Sequence, residues 1–480
     1  QYVPLKKSGA NHKGLCPFHK EKTPSFMVNP ERQIYKCFGC DEGGDVISFV
    51  QKLEGLTFPE ALELLADRVG VKLDRRKAPE QYKREKDEKT TLFRINAASA
   101  KFFHHLLVNH DSGKEALNYL TSRKVKRTTI DEFQLGFAPA KSVLGAWLGK
   151  NGFSMTDLRK AGSPERFRNR IMFPLRDTLG NVVGFTGRSL PGDDSGPKYY
   201  NTPETPIFRK SRIVYGLPEG KKEIRTRDAA VLVEGQMDVV LSHQAGARIA
   251  VASSGTAITL DHLKAIRRYT NNILIAFDAD DAGATAAKKT IGLTFDAELS
   301  PKVVQMPAGY KDAGEVIEHD AKLWGKTIGS SVPAVDWLID HEVRSAGMPL
   351  DGAKKKAVAK QVLPMLQRVQ DPVEQAHYLG QLASRLRVPE QSLIEALRKT
   401  KRRRTVQSST QPTPKKQRTK PLLDEQLALI VAKKPSITDT VNVPSEIFAP
   451  NSFAARLFKA TKTWYDTGDR QRAANSFDAI

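Results

Sequence analysis

Residues 229–283 read AAVLVEGQMDVVLSHQAGARIAVASSGTAITLDHLKAIRRYTNNILIAFDADDAG. Short apolar runs (AAVLVEG, RIAVASSG, NNILIAFDAD and, further on, PKVVQMPAG) alternate with helical stretches such as MDVVLSHQAG, TLDHLKAIRRY and ATAAKKTIGLTF. A strand that is apolar on both faces must be covered on both, so this alternation predicts a parallel sheet with helices on its faces. Functional residues in such sheets gather beyond the carboxyl ends of the strands. Glu234 stands where AVLVEG ends, and Asp278 and Asp280 where ILIAFDAD ends. Three acids brought together there would repel one another unless they shared a cation, and oxygen ligands alone select Mg2+ or Mn2+. The period-two spacing aims Asp278 and Asp280 to one side of the strand and Ala279 to the other. Taken singly, an acid at a strand end is as well explained as a helix cap, with Asp281 the expected cap before Ala282-Gly283. The recurrence at two strand ends favours the metal.

Upstream, residues 91–165 have helical spacing, with Phe102, Leu106, Leu117 and Leu120 placed for packing. The next segment, ERFRNRIMFPLRDTLGNVVGFTGRSL (165–190), changes to strand periodicity around a turn at Leu179-Gly180-Asn181 and is rich in arginine. It leads into PKYYNTPETPIFRKSRIVYGL, which brings Lys198, Tyr199, Tyr200, Arg209, Lys210 and Arg212. Cations interleaved with aromatics suit a triphosphate or a template backbone, though an ordinary basic surface has the same composition. Residues 75–90, RRKAPEQYKREKDEKT, are nearly devoid of apolar side chains and are expected to form a charged linker or a solvated helix. A module before them would be free to move.

All three cysteines fall within the first 40 residues: Cys16 and His19 in CPFH, Cys37 and Cys40 in CFGC. Two-residue spacing lets both side chains of a knuckle converge on one ion, and the intervening SFMVNPERQIY suits two strands that bring the second knuckle back. A closed set of thiolates and imidazole favours one structural Zn2+. The ribbon carries Lys20, Lys22, Arg32, Lys36, Tyr35 and Phe38, a surface on which unpaired bases stack, while Phe26 and Tyr35 serve equally well as core. After Gly43-Gly44, Asp45 is placed to cap a first helix, and Gly55 and Pro59 separate it from a second.

The chain has 480 residues, 76 Lys and Arg against 54 Asp and Glu, and a net charge of +22. That length calls for several domains, and the charge favours a polyanionic partner, because phosphate contacts release counterions. No apolar run is long enough to cross a bilayer, and no signal-peptide core is present, so the expected setting is the cytoplasm, without a membrane. The chain begins at Gln1 rather than Met, and a few preceding residues are expected. Downstream, 326–400 is helical by period, 401–421 combines charge with Ser, Thr, Gln and Pro as disordered linkers do, and 422–480 holds short helical stretches.

Against these residues, the stretch YVPLKKSGANHKGLCPFHKEKTPSF with IYKCFGCDEGGDVISFV resembles the zinc-binding domain of DnaG-type bacterial primases. VEGQMDVV with FDADDAG resembles a Toprim unit, the nucleotidyl-transfer and cleavage fold of those primases, of type IA and type II topoisomerases and of some nucleases. The resemblance covers roughly residues 1–400. It implies a multidomain α+β and α/β chain: a zinc ribbon for template (1–74), the linker (75–90), a basic mixed part of an RNA polymerase core (91–228), a Toprim subdomain (229–325), a helical subdomain (326–400), a linker (401–421) and a C-terminal region at the position of a helicase-binding domain (422–480). It further implies primer synthesis on single-stranded DNA from ribonucleoside triphosphates by a monomer at the replication fork, alongside a replicative helicase. Glu234 becomes a general acid/base or ligand, Asp278 and Asp280 ligands, and Asp312 a further acid for two or more Mg2+ or Mn2+ ions. Arg170, Arg188, Lys198 and Lys210 become phosphate and template contacts. Gly314 stands where the family usually has a second Asp, with Glu315 adjacent. The competing readings are a Toprim topoisomerase or nuclease, which would need a nucleophile such as Tyr199 or Tyr200, and a non-catalytic zinc-ribbon single-strand binder.

Overall fold

The computed structural model describes residues 2–407 except Lys20, Lys22, Gly55, Thr57, residues 72–79, Asp194, Ser195 and Thr256. Of the linker expected at 401–421, residues 401–407 are helical; 408–421 and the C-terminal region 422–480 lie outside the described residues.

The N-terminal module is a meander of five antiparallel strands, β1 (Lys6–Ser8), β2 (Asn11–Gly14), β3 (Phe26–Asn29), β4 (Ile34–Cys37) and β5 (Gly43–Asp45), in sequential order. Helices α1 (Val46–Glu54) and α2 (Phe58–Arg68) follow, and the Asp45 carboxylate accepts the Ser48 amide at 2.7 Å, the expected cap. Phe26 and Tyr35 lie in register neighbourhood on β3 and β4 and stack at 5.4 Å in a small core with Phe18 and Phe49. Both are core residues, so the base-stacking surface expected to include Tyr35 loses it, whereas Phe38 stays 74% exposed.

From Glu80 the segment expected as a charged linker or a solvated helix is helix, the first turns of α3 (Glu80–Asn109). Two of its charges are paired, Lys86 with Glu63 and Glu88 with Lys160 at 2.7 Å, while Asp87 and Lys89 are exposed. Helices α4 (Lys114–Ser122), α5 (Arg127–Phe133), α6 (Leu144–Lys150) and α7 (Met155–Lys160) surround a second antiparallel sheet, β6 (Gly136–Ala138), β7 (Arg170–Arg176), β8 (Val182–Ser189) and β9 (Tyr199–Asn201). The β7–β8 hairpin turns at the predicted place, with Gly180 at φ +92° and the Asp177 carboxylate accepting the Leu179 and Asn181 amides.

After α8 (Leu217–Arg227) comes the sheet announced by residues 229–283. Its strands are β10 (Ala230–Leu232), β11 (Ala250–Val251), β12 (Asn272–Ile275), β13 (Ser300–Val303) and β14 (Val332–Pro333), in the order β11-β10-β12-β13-β14. The first four are parallel and β14 closes the edge antiparallel. Val231, Leu232, Ile273 and Ile275 are fully buried, each contributing roughly 1.5–3 kcal/mol of transfer free energy. Helices α9 (Gln236–Gln244), α10 (Leu260–Arg267), α11 (Asp281–Asp296), α12 (Ala313–His319) and α13 (Ala321–Gly329) fill the connections. The chain steps from β10 outward to β11 and then back across to β12, so the strand order reverses between β10 and β12, where a crevice opens at the carboxyl ends.

Four further helices, α14 (Ala334–Ala346), α15 (Gly352–Leu366), α16 (Pro372–Leu386) and α17 (Glu390–Gln407), form the helical subdomain, whose apolar core includes Ile275 and Val303 of the sheet. Among the described residues no helix is long and apolar enough to cross a membrane.

Candidate active site and metal centres

Cys16, His19, Cys37 and Cys40 converge as their spacing predicts, with all four ligand atoms within 4.8 Å of one another. Cys16 Sγ lies 3.8 Å from Cys40 Sγ, and Cys37 Sγ lies 3.7 Å from His19 Nδ1. Each knuckle turns its backbone onto a sulfur: the Phe18 amide donates to Cys16 Sγ and the Gly39 amide to Cys37 Sγ, both at 3.4 Å. Gly39 is required by close approach, because a Cβ there would lie 2.6 Å from His19 Nε2. Burial, with the neighbouring Cys37 and Cys40, pushes the Cys16 thiol up to about 12, the penalty a bound cation removes. The donor set fits Zn2+.

Sequence reasoning missed Glu21. Its carboxylate accepts the Cys16 and Ser25 amides at 2.7 and 2.9 Å and lies 3.4 Å from His19 Nε2, leaving Nδ1 to face the sulfurs. A carboxylate behind a ligating imidazole fixes the ring's tautomer and orientation.

In the crevice between β10 and β12, Glu234 Oε1 accepts the Asp278 amide at 3.0 Å. β12 ends at Ile275, so Asp278 and Asp280 lie beyond the strand in a turn, and strand alternation does not govern their directions. Asp280, not Asp281, caps α11: its Oδ1 accepts the Gly283 amide at 2.8 Å. The turn is tight, since a Cβ at Gly283 would sit 2.2 Å from the Asp278 carbonyl oxygen. Lys311 bridges the acids, with Nζ 3.3 Å from Asp280 and 3.9 Å from Asp278. Glu234, Asp278 and Asp280 do not draw together into a single tight set of donors. Among the described residues only the cysteine–histidine group does so.

A fourth acid, Asp238, stands in the first turn of α9 and was not singled out in the sequence. Its two oxygens accept the amides of Gly235 and Gly314, each at 3.1 Å. Burial, then the neighbouring Asp312, pushes its carboxyl up to about 7, and burial with Glu234 pushes Asp278 up to about 6. Carboxyls held this far above their ordinary range mark a site short of positive charge. The signal available was positional: Asp238 follows Glu234 by four residues across a strand-to-helix turn.

Asp312 caps α12, accepting the Glu315 amide at 2.8 Å, and Glu315 reaches back to the Lys311 amide at 2.7 Å. Glu315 is thus engaged with the backbone just before α12. At Gly314 a Cβ would lie 3.0 Å from Asp238 Oδ1 and 3.2 Å from Asp312 Oδ1, so the glycine lets the two acids approach the same backbone.

The basic residues separate. Arg170 is buried, and its Nη1 donates to the carbonyls of Pro197 (2.8 Å), Gly187 (3.2 Å) and Lys198 (3.4 Å). It ties the hairpin together, and this corrects the expectation of a free phosphate contact. Arg188 is also buried, stacked 4.4 Å over the Tyr119 ring, with Nη1 lacking a hydrogen-bond partner. Lys198 is exposed, with Nζ 6.0 Å from the Tyr199 ring. Lys210 is half-buried; its amide donates to Glu204 and its carbonyl accepts from His262. Lys20 and Lys22 lie outside the described residues. Gln236 in α9 donates to Thr186 on β8 at 3.0 Å, coupling this sheet to the acidic crevice.

Four family models match along the chain: CHC2 zinc finger over residues 1–81, DNA primase catalytic core N-terminal domain over 102–221, Toprim-like over 231–317, and DnaB-helicase binding domain of primase over 335–391. The last falls on α14 to α16, upstream of the 422–480 region where a helicase-binding domain was expected. The chain is 37% identical over 398 residues to a DNA primase of Halalkalibacterium halodurans, covering 80% of this chain and 65% of that protein. It is 37% identical over 420 residues to a DNA primase of Geobacillus stearothermophilus, covering 84% and 69%. It thus spans about two thirds of these relatives' length. Among solved structures, the zinc-binding and RNA polymerase domains of Aquifex aeolicus primase are 31% identical with a TM-score of 0.56, covering 82% of this chain and 94% of that one. A DnaG primase catalytic domain bound to single-stranded DNA gives 28% identity and a TM-score of 0.57, covering 64% and 99%.

Proposed function

Because this chain belongs to the DNA primase family, we propose that it joins ribonucleotides into short primers on a single-stranded DNA template and acts beside a replicative helicase. The observation that carries this reading is the crevice between β10 and β12, where Glu234 meets Asp278 and Asp238 and Asp312 share the backbone of Gly314. Glu234, Asp238, Asp278, Asp280 and Asp312 would hold two divalent ions, Mg2+ or Mn2+, whose hard oxygen preference these carboxylates suit. Such ions, when bound, stabilise charge on the attacking and leaving oxygens of an in-line phosphoryl transfer.

The remaining roles belong to the chain itself. Lys311 pairs with Asp280 and Asp278 and offsets part of their charge. Arg188, held against Tyr119 with one buried N–H unsatisfied, is poised to donate to a phosphate or sugar oxygen. Lys198, on the exposed end of the same hairpin, is placed to track a template strand. The zinc module adds the exposed Phe38 for stacking on an unpaired base.

The test is incubation of the full chain with single-stranded DNA, labelled ribonucleoside triphosphates and Mg2+. Short RNA products that require the template are expected; template cleavage without RNA synthesis would overturn the reading.

A further inference from the structure

Glu234, Gln236 and Asp238 alternate along the turn that leads from β10 into α9, and the two acids belong to the crevice already described. Gln236, between them, turns elsewhere. It is 1% exposed, and a buried amide costs free energy unless its hydrogen bonds are met, so packing alone would favour a leucine or methionine at this position. Its partner lies in the other sheet. Gln236 Nε2 donates to Thr186 Oγ1 at 3.0 Å, Thr186 in turn donates to Asn201 Oδ1 at 2.5 Å, and Asn201 Nδ2 donates to the Ser254 carbonyl at 3.0 Å.

The ends of this chain of bonds fall beyond the carboxyl ends of two neighbouring strands, Gln236 after β10 and Ser254 after β11. Its middle, Thr186 and Asn201, is a cross-strand pair of β8 and β9. Ser254 stands at φ +61°, a conformation that residues other than glycine seldom adopt, and the bond to its carbonyl helps to hold it there. Two residues along β8 from Thr186, Arg188 pairs with Tyr199, and residues two apart on a strand share a face. Thr186 is therefore a fixed point roughly 7 Å from Arg188 on the same face. Tied to the parallel sheet at two places, β8 and β9 can neither slide past β10 nor pivot about Thr186. We infer that Gln236 and Thr186 are positioning residues for primer synthesis, which act through Arg188 by holding it at a set distance from Glu234 and Asp238. The inference rests on the reading of Arg188 as a contact to a phosphate or sugar oxygen.

A double-mutant cycle on the full chain tests this, reading both the rate of template-directed RNA synthesis and the affinity for single-stranded DNA. Thr186→Val keeps the shape of the side chain and removes its hydroxyl; Gln236→Leu keeps most of the volume and removes the amide. Each should lower the rate about tenfold, and Thr186→Ser, which retains the hydroxyl, should keep at least half of it. Combined with Arg188→Ala, neither should add: the double variants should fall within twofold of Arg188→Ala alone, because a clamp that works through Arg188 then has nothing left to position. Effects that multiply in both rate and affinity would assign the pair to the fold alone and overturn the inference, as would rates within twofold of the unmodified chain in both single variants. Should Thr186→Val fail to fold, Gln236→Leu carries the cycle, since it leaves Thr186 bonded to Asn201. An unmodified chain that binds single-stranded DNA but makes no RNA would overturn the functional reading instead, and the cycle in affinity then decides the clamp.

Discussion

Asp280 has two roles that one substitution can separate. Its carboxylate caps α11 through the Gly283 amide, and in the proposed mechanism it also holds a divalent ion. Asn caps about as well as Asp, so Asp280→Asn should leave the melting temperature little changed while primer synthesis is lost, and Asp280→Ala should lose both. Primer yield near normal in Asp280→Asn would remove the metal role. Asp238 yields a second prediction at this scale. Its folded-state carboxyl is raised to about 7 and that of Asp278 to about 6, above their ordinary 3.8. The folded state therefore binds more protons between pH 4 and 7, and the stability these groups contribute is full below about pH 4 and lost as pH rises through 7. His243, lowered to about 4 by burial, works in the opposite sense, losing stability as pH falls below 6.5. Asp238→Asn isolates the first effect: without divalent ions, it should flatten the decline between pH 5 and 7 by up to about 1.4 kcal/mol per pH unit. Denaturant unfolding across that range is the measurement, and an unchanged slope would mean that Asp238 is ionised throughout.

At the scale of elements, the strands of the Toprim unit and both zinc knuckles were legible because local pattern alone encodes them: short continuous apolar runs for β10 and β12, two-residue intervals for Cys16–His19 and Cys37–Cys40. What spacing does not encode is which side of an element a side chain takes once the strand stops. β12 ends three residues before Asp278, so the pattern could not tell that Asp280 would cap α11. Nor could composition separate a buried arginine from an exposed one. Arg170 and Lys198 sit in one basic run, yet the first is spent on three carbonyls and the second faces solvent. Asp238 was hidden in a helical first turn that reads as an ordinary amphipathic start. Arg170→Ala should therefore act through the hairpin: it removes a donor from the carbonyls of Gly187 and Pro197, while that of Lys198 keeps the Ser189 amide, a loss of roughly 2–4 kcal/mol for a buried charged donor. The expected result is a lowered melting temperature with the salt dependence of template binding unaltered, and Lys198→Ala should do the reverse, reducing the slope of log affinity against log salt by roughly 0.7. A reduced slope in Arg170→Ala with normal melting would restore it as a template contact.

For the whole molecule, the apolar cores are separate. The zinc module packs Phe26, Tyr35 and two of its cysteines in a cluster of its own, apart from the cluster that joins the second sheet to the parallel one. Where the module meets the remainder, the contact is polar. The Glu54 carbonyl accepts from Arg268 at 3.4 Å, its carboxylate lies 3.9 Å from Lys221, and Arg225 stacks 4.7 Å over Tyr269 nearby. Several atoms in this patch, Glu54 Oε2, Arg225 Nε and Nη2 and the Tyr269 hydroxyl, are buried without a hydrogen-bond partner. Exposing them to water returns hydrogen bonds that the docked state withholds, so losing the module costs the core little. The zinc site, by contrast, carries most of the module's stability, because five strands of three or four residues around four aromatic rings form too small a core to hold alone. Cys40→Ser should therefore bind no zinc and lose the ribbon, while the main unfolding transition stays within a few degrees of the unmodified chain and template-directed priming falls. Zinc content by elemental analysis and calorimetry on the same preparation decide it: stoichiometric zinc in the variant would sink the ligand assignment, and collapse of the main transition would show that the core depends on the module after all.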